Sequence, residues 1–303
     1  MKYDIILIRY GELSLKSAYV RKYFESILVR NIKKALIAEN IIHDIKKERG
    51  RIYLATTEIS RSIGILSRIF GIVSFSPAVQ TTSTMQDMSI IAQELMKNIL
   101  TEKKSFAIRA TRVGTHPFTS QQVAVRIGND IVKATGASVD LSKPDIELFI
   151  EVRDKKSFLF TEKIHGVGGL PLGTQGTMIA LIDDPTSLLA AWYLMRRGCN
   201  VIIVDMKKSD EEVIRSFLAH WYADSEIICI DPTTEEFFHR LLVIASEKKC
   251  DALVTGHTLE EPARSLEAIT LLKKNSIIPI LSPLIAMTPE EIRQHCKKRG
   301  IPV

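Results

Sequence analysis

The sequence has no CxxC pair. Its four cysteines, Cys199, Cys229, Cys250 and Cys296, lie far apart, which excludes a zinc knuckle and a disulfide scaffold and leaves buried thiols as the expectation. No apolar run approaches the ~18 residues of a membrane-spanning helix. The opening MKYDIILIRYGE brackets a short strand-like stretch with charges, unlike a signal peptide. A cytoplasmic protein without membrane contact is expected. Internal repeats and a low-complexity tail are missing too, so the chain reads as globular. One further lack is local. ALIDDPTSLLAAW, residues 180–192, reads as an apolar strand, a sharp polar turn and an amphipathic helix start, the junction at which α/β proteins hold phosphate, yet its turn contains no glycine.

What is present suits two or three domains: 303 residues, 46% of them hydrophobic. The net charge of +6 is unevenly spread. Residues 1–165 hold 26 Lys and Arg against 17 Asp and Glu, whereas residues 166–303 hold 15 against 18. A basic front half favours a nucleic-acid surface there, with a solvated positive face as the alternative.

Hydrophobic periodicity orders the chain into elements. Ile5 to Ile8 reads as a strand, and RKYFESILVRNIKKAL as a helix with Phe24, Leu28, Ile32 and Leu36 on one stripe, leaving Arg21, Lys22, Arg30, Lys33 and Lys34 mainly outside the core. RIYLAT and GIVSFSPAV read as strands around the helix SRSIGILSRIF. A second unit follows, with helix 87–99, strand FAIRATR, helix 120–135 and strands DIELFIEVR and SFLFTEK. Val123, Ile127 and Ile131 form the buried stripe of helix 120–135, and Gly136 is placed to end it. HGVGGLPLGTQG, with five glycines and a proline, marks a linker at 166–176. Beyond it, strands 177–182, 200–206, 226–230, 252–256 and 277–281 alternate with helices 187–197, 210–222, 234–249 and 289–299. That alternation predicts a parallel sheet covered by helices, with a ligand at the carboxyl ends of its strands.

Several stretches together resemble one family. IRYGELSLKS, GIVSFSPAV, FAIRATRVGTHPFTSQQVAVRIG, TEKIHGVGGLPLGTQG, RRGCNV and ALVTGHTLEEPARSLEAI are similar, in order and across nearly the whole chain, to the tRNA sulfurtransferases that make 4-thiouridine and also serve thiamine synthesis. The resemblance implies a mixed α+β and α/β chain: a ferredoxin-like N-terminal domain at 1–75, a THUMP RNA-binding domain at 76–165 and a doubly wound parallel-sheet PP-loop ATPase-like domain at 177–303. It further implies ATP-dependent adenylation of a tRNA uridine, the tRNA acceptor end as partner and a sulfur-donor protein, and a homodimer is a further expectation.

In that family the opening junction reads SGGxDS, where glycines let backbone N–H groups approach the ATP phosphates. Here Asp183, Asp184, Pro185, Thr186 and Ser187 stand instead, one residue fewer. Two carboxylates replace donors, and Pro185 offers no N–H. Read for structure alone, Asp184 suits a helix N-cap and Pro185 the first helical position. Read for function, Asp183 and Asp184 hold Mg2+ while Thr186 and Ser187 contact the phosphates of ATP. The resemblance also places Leu181, Ile182 and Gly256 beside the nucleotide and Arg264 near a position that contacts it; a tight strand-end turn and a solvated helix residue are the plain alternatives for Gly256 and Arg264. His257, lacking a visible partner, receives no chemistry. The family's late catalytic cysteine and a rhodanese-like extension find no counterpart before the sequence closes on KKRGIPV, so no catalytic residue is assigned and impaired adenylation is expected. Cys296, beside Lys297, Lys298 and Arg299, is a lead for a lowered thiol pKa, with a buried cysteine as the equal alternative.

RNA binding requires only positive donors at spaced positions. Lys103, Lys104, Arg109, Arg112, Arg126 and Lys133 supply them within the THUMP-like segment, and Phe118 is placed either to stack on a base or to anchor its loop.

Overall fold

The computed structural model describes residues 3–11, 17–48, 50–207, 211–260 and 262–303, with the side chains of 262 and 264 left aside. Two compact units result. The first takes in the chain up to Arg9, Leu36–Gly64 and Ser74–His165; the second takes in Tyr10–Ala35, Ile65–Val73 and Gly166–Val303.

In chain order the first part of the sequence forms β1 (Ile5–Tyr10), α1 (Ala18–Ala38), β2 (Asp44–Glu48), β3 (Arg51–Ala55), α2 (Ile59–Leu66), β4 (Ile72–Thr82), α3 (Met85–Lys97), β5 (Ser105–Val113), α4 (Ser120–Thr135), β6 (Ser138–Val139), β7 (Ile146–Arg153), β8 (Lys156–Phe160) and β9 (Ile164–His165). The strands make one sheet, ordered β2-β3-β1-β4-β8-β7-β5-β6, with β9 paired to β4. Strand β4 runs through the boundary expected at residue 75.

Helix α4 shows why the local sequence decides its ends. Thr119 and Gln122 form a capping box at the start, and Gly136 closes it with φ of 71°. Val123, Ile127 and Ile131 are fully buried between, each contributing about 2 kcal/mol by removal from water. They pack on Phe106 and Ile108 of β5 and on Leu148, Ile150 and Val152 of β7. The alternate residues of those parallel-paired strands, Arg109, Glu147, Phe149, Glu151 and Arg153, share the other face of the sheet. There Glu151, 7% exposed, accepts from Arg9 Nε at 3.1 Å and Nη2 at 2.8 Å, and from Arg51 Nε at 3.2 Å.

The second unit contains β10 (Thr177–Ile182), a short 3-10 turn (Pro185–Ser187), α5 (Leu188–Arg196), β11 (Asn200–Asp205), α6 (Glu211–His220), β12 (Ile227–Cys229), α7 (Phe237–Glu247), β13 (Ala252–Thr255), α8 (Pro262–Asn275), β14 (Ile280–Leu281) and α9 (Pro289–Lys297). Its five strands are parallel in the order β12-β11-β10-β13-β14. Central strand β10 is buried on both faces, as its unbroken apolar run requires: Ala180 and Ile182 join one core, Ile179 and Leu181 the other. Helix α8 has no counterpart in the expected element order, and the strand expected over 277–281 is reduced to Ile280–Leu281. The helix expected from 187 is preceded by the 3-10 turn.

Residues 166–176, expected as a linker from their glycines, are tightly held within the second unit. Leu170 N donates to Arg196 O at 3.0 Å, and Gly173, Thr174 and Gln175 all donate to Gly198 O. A Cβ on Gly169 would lie 2.0 Å from Arg196 O, so only glycine allows this approach. Phe24 and Phe70 are packed in this unit too: Phe24 clusters with Leu170, and Phe70 joins the core around α5, its ring 5.4 Å from that of Trp221.

Burial pushes the Glu151 carboxyl up, but Arg9 and Arg51 outweigh it and hold the group below its ordinary value. A depressed folded pKa gives stability that is present above the unfolded value of about 4.3 and lost as pH falls through the folded value. Glu151→Gln is therefore expected to cost about 3 kcal/mol at pH 7 in urea unfolding and to flatten the loss of stability between pH 5 and 3. An unchanged pH profile would show that the cluster does not hold the sheet.

Candidate functional site

The strand order of the second unit reverses direction between β10 and β13. In such a sheet a crevice opens at the carboxyl ends of the two strands where the order reverses, and ligands bind there. A cavity of roughly 600 Å3 lies at this place, lined by Asp183, Asp184 and Thr186 after β10, by Gly256, His257 and Thr258 after β13, and by Lys207, Glu260 and Arg293 among others.

Asp184 caps the turn with an extended backbone (φ −153°, ψ 166°), which the following Pro185 favours. Its Oδ1 accepts from Thr186 N at 2.6 Å and Ser187 N at 3.2 Å, and also from the Thr186 hydroxyl. Asp183 Oδ1 accepts from the Ser187 hydroxyl. Both backbone amides and both hydroxyls that a phosphate would need are thus directed at carboxylates of the same turn. Among the described residues no group of three or more His, Cys, Asp or Glu side chains could hold a metal ion, so Asp183 and Asp184 stand as a pair of carboxylates.

Gly256 is required by close approach. A Cβ there would lie 2.3 Å from Ser187 Oγ and 2.8 Å from Ser187 Cα, so the two loops meet backbone to backbone. Leu181 and Ile182 are 3% and 1% exposed, and their side chains belong to the two cores rather than to the cavity. The side chain of Arg264 lies outside the described residues. His257, which sequence reasoning set aside, lines the cavity with its Nδ1 buried and unpartnered among the described residues. Only its position after Gly256 signalled it.

Cys296 is fully buried, and burial raises its thiol to about 11 despite the nearby Arg299, which corrects the idea that neighbouring cations lower it. Cys199 is likewise raised to about 11 by burial. Cys229, at the carboxyl end of β12, is half-buried, whereas Cys250 is buried.

The basic residues of the first unit do not form one patch. Arg109 faces away from α3 and α4 and pairs with Glu147 at 2.7 Å. Arg112 lies on the opposite face of β5, exposed, with Nη1 donating to Gly114 O at 3.1 Å. Arg126 and Lys133 sit seven residues apart on the exposed face of α4, Arg126 near Asp130 at 3.5 Å. Lys103 and Lys104 are exposed before β5. Phe118 is half-buried against the α4 core, its ring 5.4 Å from that of His116, so it anchors its loop.

Comparison with known proteins supplies the lineage. Residues 5–76 match the ThiI ferredoxin-like domain, 82–162 the THUMP domain and 232–301 the thiamine biosynthesis protein (ThiI) family. A "Probable tRNA sulfurtransferase" of Methanothermobacter thermautotrophicus is 34% identical, covering 99% of this chain and 85% of its own. The chain belongs to the tRNA sulfurtransferase family. The tRNA sulfurtransferase of Pyrobaculum aerophilum is 36% identical over 98% of this chain and 67% of its own. Among solved structures, protein PH1313 of Pyrococcus horikoshii superposes with a TM-score of 0.85 at 30% identity, over 98% of this chain and 100% of its own. A 4-thiouridine synthetase in complex with RNA and bound ATP shares the fold at a TM-score of 0.82, with 23% identity, over 99% of this chain and 85% of its own. No helix among the described residues is long and apolar enough to cross a membrane.

Two outcomes test this family member's site. Gly256→Ala is expected to lower stability by 1 kcal/mol or more, roughly the scale of overpacking, because Ser187 backbone cannot yield; a neutral melt would remove the close approach. Native protein at pH 8 is expected to give one fast thiol with a disulfide reagent, Cys229, lost in Cys229→Ser. Fast reaction of Cys296 would contradict its burial.

Proposed function

We propose that the chain binds tRNA, at its acceptor end, as a member of the tRNA sulfurtransferase family whose own nucleotide turn is impaired for adenylation, so that it acts as a noncatalytic subunit or adaptor. The observation that carries this reading is the Asp184 carboxylate bonded to Thr186 N and Ser187 N. An ATP phosphate at the turn would have to displace it and then sit beside two like charges. That repulsion is about 1 kcal/mol per pair at 4 Å in water and about 4 kcal/mol where the effective dielectric constant falls to 20. As they stand, the amides and hydroxyls of the turn are engaged by its own carboxylates and do not fit the triphosphate of ATP.

Support for tRNA comes from the relatives' shared activity, from the RNA-bound fold neighbour and from the positive excess of residues 1–165. Exposed Lys103, Lys104, Arg112 and Lys133 have no carboxylate partner among the described residues, which leaves their charge available to a phosphate backbone. A cytoplasmic location, a sulfur-donor protein and a second copy of the chain belong to the same reading. A catalytic alternative rests on Lys207 and Arg293, two cations that line the same cavity, Arg293 being paired with Glu290 at 2.9 Å.

Calorimetric titration with ATP and Mg2+, with and without tRNA, separates the two. Salt-dependent tRNA binding and no saturable heat with ATP are expected. Micromolar ATP binding would overturn the noncatalytic reading, and its loss in Asp184→Ala would assign it to the turn.

A further inference from the structure

The sheet of the first unit curls on itself. In its order β3, β1 and β4 separate β2 from β8, yet Lys156 Nζ of β8 stands 3.2 Å from Glu48 Oε1 of β2, and the Phe158 ring of β8 stacks on Tyr53 of β3 at 4.9 Å. The cleft so formed holds a cavity of roughly 260 Å3. Antiparallel pairing of β1 with β3 sets Ile5, Ala55 and Tyr53 on one face as its floor. Asp44, Lys46 and Glu48, alternate residues of β2, line it from one side, and Gln80 of β4 and Lys156 of β8 from the other. A second cavity of roughly 520 Å3 shares Asp4, Asp44 and Ala55 with the first and continues past Tyr3 and Ile42, whose side chain is 83% exposed.

The first cavity sets three carboxylates against two ammonium groups. Lys46 lies 3.4 Å from Asp44 and Lys156 lies 3.2 Å from Glu48, but these four side chains are 44–69% exposed, so water competes for both pairs and either opens readily. Asp4 has no cation among the described residues, and its Oδ1 accepts from Gln80 N at 3.3 Å. Tyr53 is 4% exposed, and its hydroxyl is buried with no partner among the described residues. Burial pushes that phenol above its ordinary value, so it stays a protonated donor. A hydroxyl taken out of water without a partner costs stability, and an acceptor entering the cavity removes that cost. The lining selects among guests. A phosphate backbone meets an excess of carboxylates. A metal ion finds no group of three His, Cys, Asp or Glu side chains among the described residues. A plain amine answers Asp4 but offers no acceptor to the lysines or to Tyr53, whereas a zwitterion answers both signs.

We infer that this cleft binds a free α-amino acid with an apolar side chain. Its ammonium pairs with Asp4 and Asp44, its carboxylate accepts from Lys156 and the Tyr53 hydroxyl, and its side chain lies over Ala55 toward Tyr3 and Ile42 in the second cavity. The site stands apart from both the tRNA reading and the nucleotide turn.

The test is calorimetric titration of the full chain with L-leucine and L-phenylalanine, and with two analogues of phenylalanine: phenethylamine, which lacks the carboxylate, and N-acetyl-L-phenylalanine, which lacks the ammonium. Saturable binding of at least one of the two amino acids is expected, with both analogues weaker by about tenfold or more, the scale of one hydrogen bond to a charged group. Tyr53→Phe keeps the ring on Phe158 and drops a hydroxyl without a partner, and Asp4 is exposed, so Tyr53→Phe and Asp4→Asn retain the fold, which a thermal melt verifies. Each variant is expected to weaken the amino acid several-fold. The inference is overturned if neither amino acid binds saturably at millimolar concentration, if phenethylamine binds as tightly as phenylalanine, or if both variants bind as the wild type does.

Discussion

A single carboxylate holds the turn after β10 in the second unit. Asp184 Oδ1 takes the first two free amides of the turn after β10, the donors that a helix N-terminus otherwise presents to an anion. Once those donors are satisfied from within, the favourable partial charge of the helix start is answered by a residue of the chain. The strand, the turn and the helix keep the layout of a nucleotide site, while its hydrogen-bonding capacity points inward.

The turn is free to differ because the surrounding fold does not depend on what it binds. β10 is fixed by parallel pairing on both sides, with β11 from Thr177 to Ile182 and with β13 from Met178 to Leu181. Six buried residues of α5, Leu188 to Trp192 and Met195, anchor the helix that follows. Between these fixed ends lie five residues, and Gly256 meets one of them, Ser187, so closely that a Cβ at 256 would collide with it. A crevice therefore persists at the switch between β10 and β13 whether or not a phosphate enters it.

Much of this was legible because it is written in local patterns. The stripe Phe24, Leu28, Ile32 and Leu36 is buried as its period requires, helix 120–135 begins and ends where its capping box and Gly136 place it, and Pro185 follows the cap that Asp184 makes. Helix α8 escaped because its apolar residues contradict its burial: Leu266 and Leu271 are about half exposed while Ser265 is buried, so the helical period carries little signal. The packed course of residues 166–176 escaped for a different reason. Glycine marks backbone freedom in a sequence, but here it marks backbone contact, since a Cβ on Gly169 or Gly176 would collide with Arg196 O or with the Asp251 carboxylate. Cys296 shows a third limit: neighbours along a helix are not neighbours in solvent, and the cost of burying a thiolate exceeds what one nearby guanidinium returns.

Charge is where long-range pairing matters most. Arg9, Arg51 and Glu151 are separated by up to 142 positions, and no composition window would join them. They meet because β1, β3 and β7 belong to one sheet, and strand alternation sends Glu151 to the face that α3 and α4 do not cover. The same alternation splits Arg109 from Arg112, three residues apart on β5, between the two faces. A net charge for residues 1–165 thus understates the local field on one face and overstates the unity of the basic group. What a phosphate backbone meets on this unit is set by strand register, and register is the property least visible in a linear reading of the chain.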